Sequence, residues 1–150
     1  MIRSKNRLQD SIGYLLNRAS RIFRKHLNKV FIRNGYRVTE EQFDILLHLW
    51  DTDGQHQQQL AEVLYRDKTT MTRAINSLEA LNLVKRISNK NDKRQRLVYL
   101  SKPGEKIAKE LTSLAQVILL KTQKGIDPAE LTISKNVLIK FIKTLSKELT

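Results

Sequence analysis

Asp67-Lys68-Thr69-Thr70-Met71-Thr72-Arg73-Ala74-Ile75-Asn76-Ser77-Leu78 is followed by two apolar runs, Leu83-Val84-Lys85-Arg86-Ile87 and Leu97-Val98-Tyr99-Leu100. Across this stretch the hydrophobic period changes. Met71, Ala74, Ile75 and Leu78 recur at three- and four-residue steps, the repeat of one buried helix face. Asp67 stands where a carboxylate can answer the free N–H groups of a helix start, so the spacing predicts a helix over 68–81. The two later runs are rich in β-branched and aromatic residues and flank a polar stretch, 88–96. They predict a hairpin with a long basic tip.

Wound at about 100° per residue, the helix turns Thr69, Thr70, Thr72, Arg73 and Asn76 away from its apolar stripe. Hydroxyls for phosphates and base edges, an Arg for guanine and an Asn for adenine suit a DNA major groove. Lys68 and the helix N-terminus add positive charge for phosphate. The competing reading of the helix alone is a solvated polar face. The tip, Asn89-Lys90-Asn91-Asp92-Lys93-Arg94-Gln95-Arg96, can enter a minor groove, where narrow A·T stretches attract Arg. Lys90 and Lys93 then serve phosphates, and Asp92 orients Arg94 through a charge-assisted pair. A flexible charged turn is the competing reading.

Upstream, 57–65 reads as a short helix with Leu60, Val63 and Leu64 inward, preceded by the turn cluster Asp51-Thr52-Asp53-Gly54. Thr39 and Gln42 have capping-box spacing and open a helix whose apolar face is Phe43, Leu46, Leu47 and Trp50. Leu8, Ile12, Leu15, Ala19, Ile22, Phe23, Leu27 and Val30 mark a long first helix, stopped at Asn34-Gly35. Downstream, Ser101-Lys102-Pro103 restarts helix, with Ile107, Leu111, Leu114, Ala115, Ile118 and Leu119 apolar and Gly125 ending it. Asp127-Pro128-Ala129-Glu130 starts the last helix, which carries Val137, Leu138, Phe141, Leu145 and Leu149. The expectation is a mainly α protein with a small β-hairpin. Four helices, a hairpin and two helices are the parts of a winged helix-turn-helix over 37–102. The flanking helices, 1–36 and 103–150, have apolar faces too wide for so small a domain, which predicts dimerisation with a second copy.

The chain has 150 residues, a net charge of +13 and no cysteine. That charge favours polyanions, but it is segmented: +9 over 1–37, −6 over 38–62, +7 over 63–102 and +3 over 103–150. A folded domain with distinct faces fits better than a uniform basic coat. Disulfides, Cys-ligated metals and thiol chemistry are excluded. No apolar run approaches ~18 residues and no signal-peptide core is visible, so a cytoplasmic location without membrane contact is expected. The histidines are scattered, and no catalytic triad order, phosphate loop or paired inward carboxylates suggests an enzyme. His48, Asp51 and His56 are a loose metal-site candidate without closed ligand spacing. No cofactor and no metal are expected.

The sequence resembles the MarR family of winged-helix transcriptional regulators. The resemblance runs through Thr39-Glu40-Glu41-Gln42-Phe43-Asp44-Ile45-Leu46, Leu60-Ala61, 67–73, Leu78-Glu79, Leu83-Val84-Lys85-Arg86, Asp92-Lys93-Arg94 and 98–104. It implies a homodimer straddling a pseudo-palindromic operator in double-stranded DNA, with Arg94 in the minor groove and Asp92 bracing it. It also implies a small aromatic or phenolic effector, whose cleft Tyr14, Phe23, Phe31, Tyr36, Phe43 and Trp50 could line. Apolar aromatics at helical spacing are more often core, and no effector residue is assigned. Gln55-His56-Gln57-Gln58-Gln59 departs from the family, which more often opens this helix with a small capping residue. A nonspecific architectural DNA binder driven by charge alone is the main rival; membrane binding by the basic first helix is another.

Overall fold

A computed structural model describes residues 8–88 and 96–149. A 3₁₀ turn at Leu8–Asp10 leads into α1 (Ile12–Arg33), α2 (Glu40–Asp51), β1 (Gln55–His56), α3 (Gln57–Val63) and α4 (Lys68–Ala80). β2 (Val84–Ser88) and β3 (Arg96–Leu100) follow, then α5 (Lys102–Thr122) and α6 (Pro128–Glu148). The caps read from sequence are in place. The Thr39 hydroxyl accepts from the Gln42 N–H, and the Gln42 side chain accepts from the Thr39 N–H. Asp67 caps α4 and Asp127 caps α6. Gly35, at φ +84°, turns the chain out of α1 in a conformation that suits glycine.

The chain forms two compact units, Met1–Gln116 and Val117–Thr150. In the first, Ile45, Leu46, Leu49, Leu60, Met71, Ile75, Leu78, Val84, Val98 and Leu111 are buried. This core is the joint product of the helix stripes and the inner face of the sheet. Phe31 of α1 meets Phe43 of α2 edge-on, with centroids 5.3 Å apart. The guanidinium of Arg24 pairs with the buried Glu40 carboxylate, and the Glu40 N–H donates to Asn28 Oδ1 at 2.7 Å. The second unit contains the end of α5, a turn at Gly125 and α6. No residue of α6 is buried, and Ile133, Ile139 and Ile142 are exposed along it.

Four sequence expectations are corrected. The expected hairpin is present as β2 and β3, and the strand count is corrected from two to three, in the order β1-β3-β2, because Gln55 and His56 pair with Val98 and Leu97. The inward face of α2 runs through Phe43, Ile45, Leu46 and Leu49, while Leu47 and Trp50 are exposed; this helix is apolar on nearly two faces, and only one meets the core. Val63 is exposed, since α3 stops there and Tyr65 turns to φ +51°. Leu119 is likewise exposed, whereas Ala108 is buried within α5. Among the described residues no helix is long and apolar enough to cross a membrane.

Candidate nucleic-acid interface

α4 is held from beneath by its apolar stripe and from beside by α2, where Gln42 Nε2 donates to the Ser77 hydroxyl at 2.8 Å. Its first turn is fixed by Asp67: Oδ1 accepts the Thr70 N–H at 2.8 Å and Oδ2 the Thr70 hydroxyl at 2.6 Å. Those bonds hold the Asp67 carboxyl below its usual range, the Thr70 hydroxyl contributing most. The outward face then divides into two sets. Lys68, Thr69 and Arg73 are exposed, and neither Lys68 nor Arg73 takes part in an ion pair among the described residues. Thr70, Thr72 and Asn76 are engaged. Thr70 serves the cap, Thr72 donates to the Lys68 carbonyl at 2.8 Å, and Asn76 Oδ1 accepts from Arg86 at 2.7 Å. Lys90, Asp92, Lys93 and Arg94 lie outside the described residues.

A groove of about 1020 Å³ runs beside this face, lined by Gln57, Gln58, Lys68, Thr72, Arg86 and Arg96 among others. Sequence reasoning missed its contribution from the Gln-rich run and from Arg86. A polar run carries no periodicity, and Arg86 looks from sequence like any outward strand residue. The only available signal was the pairing potential of Glu79 with Arg86 across the α4–β2 connection.

On the other side of α2 lies a second cleft, of about 640 Å³, between α2 and the first part of α5. It is lined by Leu47, His48, Trp50, Leu64, Lys109 and Thr112, with Asp44 at its edge. Desolvation pushes the Asp44 carboxyl above its usual range; Glu40 adds to this, and the Arg66 guanidinium 3.9 Å away opposes it. Of the aromatic residues considered for effector contact, Trp50 alone lines this cleft. Phe31 and Phe43 are core, and Tyr36 donates to Glu110 Oε2 at 2.8 Å, which raises its phenol above the ordinary value. His48 Nε2 lies 3.2 Å from Gln55 Oε1, and no cluster of three or more metal-ligating side chains occurs among the described residues.

The MarR family model matches residues 38–95, which span α2 to the tip segment. The chain is also 26% identical over 143 residues to the organic hydroperoxide resistance transcriptional regulator of Bacillus subtilis, covering 95% of this chain and 94% of that one. Over 38–95 the chain is thus similar to the MarR family. Two solved structures share its fold. A SlyA-like transcription regulator from Listeria monocytogenes superposes with a TM-score of 0.85 at 23% identity, covering 92% of this chain and 91% of its own. A MarR family regulator from the same organism, solved with a 26mer DNA, gives 0.84 at 23% identity with the same coverage. These similar proteins are described as transcriptional regulators.

Proposed function

We propose that this chain is a MarR-type transcriptional regulator that binds double-stranded DNA sequence-specifically as a cytoplasmic homodimer, reading a pseudo-palindromic operator with α4. The observation that carries the reading is the outer face of α4. Lys68, Thr69 and Arg73 are exposed on a helix capped by Asp67, the arrangement a major groove admits. In this reading Arg73 meets a base edge, Lys68 and Thr69 meet phosphate, and Thr70, whose N–H and O–H are both given to Asp67, holds the first turn of the reading helix. Thr72 and Asn76 shape the same face. Arg94, braced by Asp92, enters the minor groove, with Lys90 and Lys93 on its phosphates. The winged domain is 37–102, and the helices of 1–36 and 103–150 form the dimer. The exposed apolar side chains of α6 support that assignment. Repression is its mode of action, because a bound dimer occludes the DNA it covers.

The effector, in this reading, is a small aromatic acid seated between α2 and α5. A cleft of this size suits such a ligand; Trp50 offers a ring to stack on and Lys109 a cation for the carboxylate. A thiol cannot carry the signal here, since the chain has no cysteine.

Selection of bound sequences from a random duplex pool, with and without small aromatic carboxylates, tests the proposal. The expected result is an enriched sequence with two-fold symmetry, released by at least one such acid. Uniform retention of all sequences would favour the architectural reading.

A further inference from the structure

Arg86, at the centre of β2, sits where three elements meet, and only 13% of its side chain is exposed. Its Nη1 donates to Glu79 Oε2 at 2.5 Å. Its Nη2 donates to Asn76 Oδ1 at 2.7 Å and to Gln57 Oε1 at 3.3 Å. The Arg86 backbone N–H donates to Glu79 Oε1 at 3.3 Å. Gln57 passes the connection on, because its Nε2 donates to the Thr72 hydroxyl at 2.6 Å, and that hydroxyl donates in turn to the Lys68 carbonyl. Among the described residues no buried side-chain nitrogen or oxygen is left without a partner, so the network carries no buried unsatisfied group. One planar guanidinium therefore ties α3, α4 and β2 together, a task its fork geometry suits and a lysine point charge does not.

We infer that Arg86 is a positioning residue for DNA reading. It fixes the outer face of α4 against the first residue of α3 and against the strand that leads into 89–95. The base-reading face of α4 and the strand β2 then approach DNA as one preformed surface. Arg73 and Lys68, which are exposed and take part in no ion pair among the described residues, have the opposite character. The Arg86 fork is already spent on protein acceptors, so its effect on DNA binding passes through Asn76, Thr72 and Gln57 rather than through a phosphate. The inference rests on the proposed reading of DNA by α4.

A charge swap separates positioning from direct contact. Arg86→Glu, Glu79→Arg and the double variant are compared with the unaltered chain, each on a duplex enriched from the random pool and on a scrambled duplex. Thermal midpoints are measured alongside. In the double variant a carboxylate at 86 faces a guanidinium at 79, and the Asn76 and Gln57 amides can turn over to present their NH₂ groups. Arg86→Glu is expected to lower the preference for the enriched duplex about tenfold, the scale of coupled contacts, and the double variant to recover to within about threefold. A second variant, Gln57→Leu, keeps the ion pair and removes the amide bridge. It should lower the preference about threefold while the salt dependence stays unchanged. A double variant no better than Arg86→Glu would overturn the inference, since that is the behaviour of a guanidinium in direct contact with phosphate. Equal losses on both duplexes, or an unaffected Gln57→Leu, would overturn it as well. If the unaltered chain showed no preference, the reading of DNA by α4 would fail and this inference with it; a preference without rescue would overturn the inference alone.

Discussion

In the proposed function, specificity is assigned to Arg73 and affinity to Lys93. Arg73 lies on the exposed side of α4, where a guanidinium meets guanine O6 and N7 in a groove-bound helix. Arg73→Ala should cost about 1–3 kcal/mol on the preferred duplex and relax one position per half-site. Lys93→Ala should weaken all duplexes alike and lower the salt slope by about one unit. Titrations of both variants on enriched and scrambled DNA at several salt concentrations check this, and equal proportional losses for Arg73→Ala would move it to the backbone. Asp67 supplies a pH signature in the free protein. Its carboxyl is held below the usual range by Thr70, so its contribution is complete above the ordinary carboxylate range and fades as pH falls through the lowered value. Asp67→Ala should therefore lower the melting temperature at neutral pH. The gap to the unaltered chain should narrow below about pH 4. A gap that widens in acid would contradict the cap.

At the scale of elements, the joint between β2 and α5 leaves no space for a side chain. A Cβ on Gly104 would come within 1.9 Å of the Leu83 carbonyl oxygen, the same oxygen that accepts the Ser101 N–H at 3.0 Å. Gly104→Ala should cost about 1–3 kcal/mol or more through the forced shift of backbone, measurable as a lower denaturation midpoint. The helices were legible in the sequence because each carries both a periodic stripe and a chemical start: Thr39 for α2, Asp67 for α4, Asp127 for α6. β1 was not legible. Gln55 and His56 have no apolar alternation, and their strand exists only because β3 offers free backbone groups to pair with. The face of α2 was misread because Phe43, Ile45, Leu46, Leu47, Leu49 and Trp50 crowd one short helix, and period alone does not say which apolar stripe meets the core. The outward residues of α4 were legible individually. Their division into free and engaged sets was not, since Gln57 and Arg86 reach Thr72 and Asn76 only through the tertiary fold.

For the whole molecule, the proposed dimer would use apolar side chains that the single chain leaves unburied. Ile133, Val137, Ile139, Ile142 and Leu145 of α6, together with Leu8, Ile12 and Leu15 near the N-terminus, are exposed in the single chain. A stable interface needs about 800 Å² per partner, and helices of this length can supply it. Sedimentation at micromolar concentration should give a species of twice 17.5 kDa; a 17.5 kDa species alone would contradict the dimer. A two-fold dimer presents its two α4 helices on one side of the duplex, so half-sites about one helical turn apart face the protein together. Inserting about half a turn of DNA between the half-sites rotates one of them to the far side. The most direct test is the affinity of the chain for the enriched duplex with and without that insertion. The predicted result is a fall to the level of a single half-site; an unchanged affinity would contradict the reading of this protein as a dimer that engages both half-sites at once.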